Sequence, residues 1–512
     1  MAKKIFAIIG IVIGCGLLFI VGSALIMFLA PGTEIFGIRY VAVGQGNYEL
    51  EKEKGVMAQF SGDVYIEATE APINVSYAFV QNVRVEYKQN FIGFTKTPRR
   101  QAYIEFEIKD NDLHIKTYDI VKFIYSHQNP AGDGFYLNVY LPQSFSGRDV
   151  YIKSTSSTVN INGRGSSFHD VIDIDTAGDV VINNSLSANH LNIKTHKAFT
   201  LGTNVFANNI KIQAGSNDVK VLANVTGKLE VVAGNGSLHL GSVNELVYKS
   251  SSGAIKANDG ASVVIGTATI ETYSGSVSID SITGSANSTI KTTLGNISIN
   301  TAKNLTIDNS RGPVTIVEAE TLAVNGGVGI VRVNNVKKSV SVTTRNGYVY
   351  LGSEEGGEIL NPTVKTSTGK VFVKNAYGIV DIESANNSVE LNAVSVTYVK
   401  ISAGGYVNAY NLAGIINIYT NGTLDTTISQ LSGNINVSTG DKCKTATLKF
   451  LNNTLNSFNY DLSSSKARIV HVYQGETVIK NSNSVEKRDP YLSGLYEVKV
   501  QTSYADIHVY TK

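Results

Sequence analysis

The sequence predicts an all-β protein, a parallel β-solenoid (β-helix) of about fifteen coils behind one transmembrane helix. Three observations predict it. First, one pattern recurs: Gly, variable, aliphatic, variable, aliphatic. It runs Gly253-Ala-Ile-Lys-Ala, Gly275-Ser-Val-Ser-Ile, Gly295-Asn-Ile-Ser-Ile, Gly312-Pro-Val-Thr-Ile and Gly329-Ile-Val-Arg-Val. It continues Gly347-Tyr-Val-Tyr-Leu, Gly369-Lys-Val-Phe-Val, Asn387-Ser-Val-Glu-Leu and Gly405-Tyr-Val-Asn-Ala, with a spacing of roughly 17 to 22 residues. Second, each unit alternates with period two, the signature of a half-buried strand. Third, the chain has no Trp but 26 Tyr and 47 Gly, with abundant Ser, Thr and Asn, as suits an all-β surface protein.

A five-residue strand cannot bury an aliphatic face alone. Strands stacked about 4.8 Å apart can, because each coil covers the next. The first inward ladder is expected to be Ile255, Val277, Ile297, Val314, Val331, Val349, Val371, Val389 and Val407. Every member is β-branched and fits a pleated, packed surface. The second is Ala257, Ile279, Ile299, Ile316, Val333, Leu351, Val373, Leu391 and Ala409. The glycine marks a corner, where φ is positive or the backbone crowds; Asn387 takes that place once. A weaker strand precedes it, as in Ala268-Thr-Ile-Glu-Thr, so each coil carries two strands. The competing architecture is an antiparallel sandwich, which rarely keeps a fixed register over so many units.

In chain order, residues 1–4 form a tip, and 5–30 are an apolar run without a charge, long enough to cross a bilayer. Lys3 and Lys4 precede it, which places the N-terminus in the cytoplasm and the bulk of the chain outside a cell membrane crossed once. The alternative is a cleaved signal peptide, whose apolar region is usually shorter. Cys15 and Cys443 are the only cysteines. One falls in the membrane and one outside, so no disulfide within the chain is expected. Residues 40–150 carry longer, more aromatic strands such as Leu137-Asn-Val-Tyr-Leu-Pro142, with hairpin turns such as Lys109-Asp-Asn-Asp112. They read as a β cap, which a solenoid end needs. The run Lys96-Thr-Pro-Arg-Arg100 reads as a solvated loop. Repeats occupy 151–440. After Gly405 three candidates compete: Gly414-Ile-Ile-Asn-Ile, Gly422-Thr-Leu-Asp-Thr and Gly433-Asn-Ile-Asn-Val. Residues 441–512 show little repeat until Ala505-Asp-Ile-His-Val, and read as a closing β region.

These features resemble the bacterial "putative adhesin" β-strand-repeat family, a domain of unknown function. The resemblance rests on Leu137-Asn-Val-Tyr-Leu-Pro142, on the handover Ile152-Lys-Ser-Thr-Ser-Ser-Thr-Val-Asn-Ile161, and on the reiterated Thr/Ser-x-x-Gly-x-Val-x-Ile, as in Lys291-Thr-Thr-Leu-Gly-Asn-Ile-Ser-Ile299. It implies an exported or membrane-anchored protein and brings no catalytic residues.

Formal net charge is +2 with 17% charged residues, so electrostatics gives no case for a nucleic-acid partner. No catalytic, cofactor-binding or metal motif stands out. Asp170, Asp173 and Asp175 are the tightest acidic cluster and read as a solvated face. The histidines are scattered, with His239 and His508 at outward positions. The outward ladder runs Lys256, Ser278, Ser298, Thr315, Arg332, Tyr350, Phe372, Glu390 and Asn408. Tyr348, Tyr350, Phe372, Tyr406 and Tyr410 make it aromatic, and they form the candidate surface for a cell-wall glycan or surface protein. The opposing expectation is that the C-terminal segment covers them. The function these features suggest is a non-catalytic adhesin or envelope scaffold. The alternatives are a polysaccharide-acting β-helix enzyme and an accessory sensor of an envelope-stress system.

Overall fold

The computed structural model describes residues 2–29, 34–35, 38–41, 44–49, 62–69, 71–89, 92–96, 104–117, 121–126, 136–143, 145, 148–164, 168–258, 262–353, 356–454, 458–465, 469–483, 485–488 and 496–512. Arg99 and Arg100 of the basic run lie outside them. The chain divides into two units, Met1–Ala233 and Gly234–Lys512. About fifteen turns of parallel β-solenoid are shared between the two. The first unit opens with a helix, Ala2–Leu29, whose stretch Ile9–Met27 is long and apolar enough to cross a membrane.

In the second unit the inward ladder stacks in register: Ile297 on Val314, then Val331, Val349, Val371, Val389 and Val407. All are buried, as are Ile299, Ile316, Val333, Leu351, Val373, Leu391 and Ala409 two residues on. Ala257 departs from expectation and is exposed. It pairs with Leu240 of the preceding coil, but its strand meets the following coil through Ile255 and Val277 alone, so that side is left uncovered.

The glycine position has a steric cause. A Cβ at Gly275, Gly295, Gly312, Gly329 or Gly369 would collide with the carbonyl oxygen of the glycine one coil earlier. None of these glycines has positive φ, so crowding rather than a left-handed turn selects them. Asn387 likewise has no positive φ; its amide donates to the Thr368 carbonyl (2.8 Å) instead. The hydroxyl three residues before the glycine completes the corner. Thr272 accepts the Gly275 N–H at 3.0 Å, Thr292 that of Gly295 at 2.9 Å, and Thr366 that of Gly369 at 2.9 Å. Asn309 does the same for Gly312 at 2.8 Å. These side chains are buried polar groups with their partners supplied locally.

Beyond Gly405 all three competing motifs are used, on two faces. Val407 stacks on Leu424 after Gly422, while Ile416 after Gly414 stacks on Ile435 after Gly433. The last coils are out of sequence order. Strands Glu497–Thr502 and Asp506–Thr511 pair with Ile435–Thr439 and Thr445–Phe450 on one side. On the other they pair with Asn459–Ser464 and Ile469–Gln474. Antiparallel strands Val485–Arg488 and Thr477–Asn483 then finish that end.

The first unit is built the same way. Val64, Val150, Ile172, Leu191, Ile210 and Leu229 form one buried ladder. The coil Val64–Ala68 and Ile73–Ala78 pairs in parallel with Asp112–Thr117 and Tyr136–Pro142 on its other side. Antiparallel strands Ile104–Lys109 and Arg84–Gln89 follow. Asp110 and Asn111 both have positive φ, as a two-residue hairpin turn requires. A separate antiparallel sheet joins Glu34–Ile35, Ile38–Val41, Ile92–Lys96 and Val121–Ser126.

One buried polar group escaped the sequence reading. His169 is fully buried. Its Nδ1 lies 2.6 Å from the Arg148 carbonyl, so Nδ1 donates, and Nε2 accepts the Tyr77 hydroxyl at 2.7 Å. Burial holds the imidazole below its usual pKa, outweighing the Arg148 bond, and pushes the Tyr77 phenol up.

Two tests follow from this architecture. Gly312→Ala should destabilise the second unit by roughly 1–3 kcal/mol through overpacking, and Val331→Asp by more, through an unpaired buried charge. Gly326→Ala, whose Cβ would come no closer than 3.2 Å to any neighbour, the Thr344 methyl, should cost less. Thermal melts giving equal losses for Gly312 and Gly326 would refute the crowding argument. For His169, the folded-state pKa lies below the unfolded value of about 6.5. Its contribution is complete above that value and is lost as pH falls from there through the folded-state pKa. The melting temperature of the first unit should therefore drop on acidification from about pH 7.5 to 5.5, and less steeply in His169→Gln. An unchanged slope in that variant would exclude His169 as the source.

Candidate functional site

The outward side of the same strands places the aromatic residues. The register aligns Thr315, Arg332, Tyr350, Phe372, Glu390 and Asn408, one per coil. Tyr350 and Phe372 stack with centroids 4.7 Å apart and planes 5° from parallel, as the strand spacing imposes. The Arg332 guanidinium lies 5.2 Å from the Tyr350 ring centre. Lys370 sits 4.3 Å from the Phe372 ring centre and 4.9 Å from that of Tyr406. It also pairs with Glu390 at 2.6 Å, and Tyr406 donates its hydroxyl to the same carboxylate at 2.7 Å. Burial opposes ionisation of Glu390, yet the bonds from Lys370 and Tyr406 outweigh it and hold the carboxyl below its usual range.

The structure thus brings Tyr350, Phe372 and Tyr406 into one network, half-buried among their neighbours. Tyr348 and Tyr410 stand more open, at 46% and 37% exposure. Tyr410 adjoins Asn392 in register, and burial followed by the Asp425 charge raises its phenol pKa. Among the described residues, the C-terminal strands Glu497–Thr502 and Asp506–Thr511 do not lie over the ladder, because they are coils of the stack itself. One chemical consequence was not legible beforehand. Stacking occupies the ring faces of Tyr350 and Phe372, so they meet a partner with their edges and flanking charges.

The first unit carries an aromatic ladder that the sequence reading missed. Tyr65 stacks on His114 and on Tyr151, each at 4.8 Å and within 8° of parallel. Its signal was the same outward position in consecutive coils. Burial and the Asp149 carboxylate push the Tyr151 phenol up to about 12. His508 is not simply solvated. It adjoins His471 (ring centres 5.4 Å apart) and Tyr473, and burial, then the His471 charge, lower its pKa. Of the acidic cluster, Asp175 pairs with Lys194 at 3.0 Å and Asp170 accepts from Asn189 at 2.8 Å. Burial raises the pKa of Asp173. Among the described residues, no three His, Cys, Asp or Glu side chains form a group that could hold a metal ion. Cys443 is buried, its thiol pushed up by burial.

Fold and surface together define a parallel β-solenoid with two faces, fronted by an apolar helix. Residues 62–301 match the model of the Toastrack DUF4097 family. The match ends before the Arg332–Asn408 ladder begins. A solved structure described as that of a "putative cell adhesion protein from Clostridium sporogenes" aligns with 92% of this chain and 100% of its own, at 8% identity and a TM-score of 0.13. A likeness at that level carries no argument. No curated protein matches the chain.

The stacked rings are peripheral to the core. Replacing Tyr350 and Phe372 together by Ser should cost about 1–2 kcal/mol, from one aromatic pair and its cation contacts, and leave cooperative unfolding intact. Denaturant melts showing a loss as large as that of Val331→Asp would mean the rings belong to the core.

Proposed function

We propose that this protein is a non-catalytic, membrane-anchored cell-surface β-solenoid, acting as an adhesin or envelope scaffold. In this reading the helix Ala2–Leu29 is an uncleaved anchor with its N-terminus in the cytoplasm, and the solenoid lies outside. Lys3 and Lys4 before the apolar stretch support that orientation.

The observation that carries the reading is the rigid outward ladder. Arg332, Tyr350, Phe372, Lys370, Glu390 and Tyr406 are fixed by backbone register and by one another. Little side-chain freedom remains to be lost when a partner docks. Edge-presented rings flanked by Arg332 and Glu390 suit a partner with both apolar and charged groups. A surface protein fits that description, and so does a peptide-bearing cell-wall glycan. The more open Tyr348 and Tyr410 widen the contact.

The full chain in detergent micelles should bind isolated cell-wall fragments or cell surfaces. Tyr348→Ser, Tyr350→Ser and Phe372→Ser combined should weaken that attachment at least tenfold, a difference of about 1.4 kcal/mol. Attachment unchanged by the triple substitution would move the site elsewhere. Turnover of any polysaccharide by the wild type would overturn the non-catalytic reading.

A further inference from the structure

The other face of the second unit carries an open groove of about 720 Å³. Lys400, Asn417, Asn436 and Lys499 line its floor and belong to one register row, which continues past them at both ends. Asp381, Lys400, Asn417, Asn436, Lys499 and Asp461 follow one another, one per coil. Within the groove two lysines bracket two amides, and an acid stands outside each lysine. Asn and Ser side chains are short, so the floor sinks between the taller walls of Tyr398 and Tyr419. Tyr419 is 44% exposed.

We propose that this groove binds an acidic glycan laid along the solenoid axis. The Asn436 amide donates to the Asn417 carbonyl at 3.0 Å. That bond orients both side chains and leaves an N–H on Asn417 and a carbonyl on Asn436 for a ligand. Amides fixed in this way, beside the hydroxyls of Ser402 and Ser438, match the donor and acceptor pattern of sugar hydroxyls. The two lysines lie three strand spacings apart, about 14 Å, so a short oligosaccharide spans them. They supply the charge complementarity. Lys400 meets Asp381 at 3.4 Å with both side chains partly exposed, a pair weak enough for an incoming anion to share. Asp381 and Asp461 flank the lysines, so the run of unopposed donors lies in the interval between Lys400 and Lys499.

This inference takes its ligand class from the surface-protein reading but uses a different face, so the two fail separately. The full chain in detergent micelles is titrated calorimetrically with oligogalacturonate, with a glycerol-phosphate oligomer, and with maltotriose as the neutral control. Oligogalacturonate should bind, weaken with added salt, and lose at least tenfold affinity in the double variant Lys400→Gln, Lys499→Gln. Binding of the phosphate oligomer alone, with the same loss, would also support an anionic glycan and identify phosphate as its charge. The Tyr348, Tyr350 and Phe372 triple variant should bind like the wild type. Gln keeps the side-chain length, and a melt checks that the double variant folds. Three results would overturn the proposal: no binding of either acidic oligomer, equal affinity in the double variant, or equal affinity for maltotriose.

Discussion

The second unit depends on one crowded corner. Each repeat glycine from Gly253 to Gly369 rests against the carbonyl of the glycine one coil earlier, too close for any Cβ. At Gly253, Gly275, Gly295, Gly312 and Gly369 the Ser, Thr or Asn three residues before captures the N–H. Together these fix where every coil turns, and therefore which residues point inward. The aliphatic ladder is a consequence. Once the corner is fixed, the positions two and four residues after the glycine must fall on those of the next coil, and a one-residue slip would reverse the faces. Hydrophobic burial supplies most of the stabilisation, while the corner supplies the register.

This explains which parts of the fold were legible. The corner takes glycine at every unit from Gly275 to Gly405 except Asn387, so that stretch carries a visible period. The reason for the glycine was not decided there, because positive φ and crowding select the same residue; only the carbonyl contacts separate them. Ala257 misled because the motif continues where the pairing stops. The end coils resisted for a different reason. Glu497–Thr511 is inserted between strands that precede it in sequence, so no fixed period exists to be found. Both units finish on antiparallel strands, which satisfies backbone groups that a bare parallel coil would leave exposed.

Outward positions obey weaker rules, and the surface was correspondingly harder to read. The Arg332 to Asn408 row followed directly from the inward register, one residue over. What the register did to its chemistry did not. Parallel stacking brings Tyr350 and Phe372 face to face and hides the surfaces that would otherwise hold a sugar ring. The groove was beyond reach because Lys499 joins Asn436 only through the reordered C-terminal coil. His169 was missed because its burial comes from Tyr77 and Arg148, distant in sequence.

Inward and outward residues alternate along each strand, so folding and recognition are carried by separate sets of positions. A change at Phe372 or Lys400 leaves the glycine corner and the β-branched ladder untouched. A solenoid of this kind can therefore vary its surface coil by coil at small cost to stability. The Toastrack match itself stops at residue 301, although the same corner and ladder continue to Gly405 and beyond. Added coils need only repeat the corner, and each adds a fresh outward row whose side chains the stack already holds in place. Recognition on such a scaffold depends on how rows from neighbouring coils combine, as Arg332, Tyr350, Phe372 and Glu390 do on one face and Lys400, Asn417, Asn436 and Lys499 on the other.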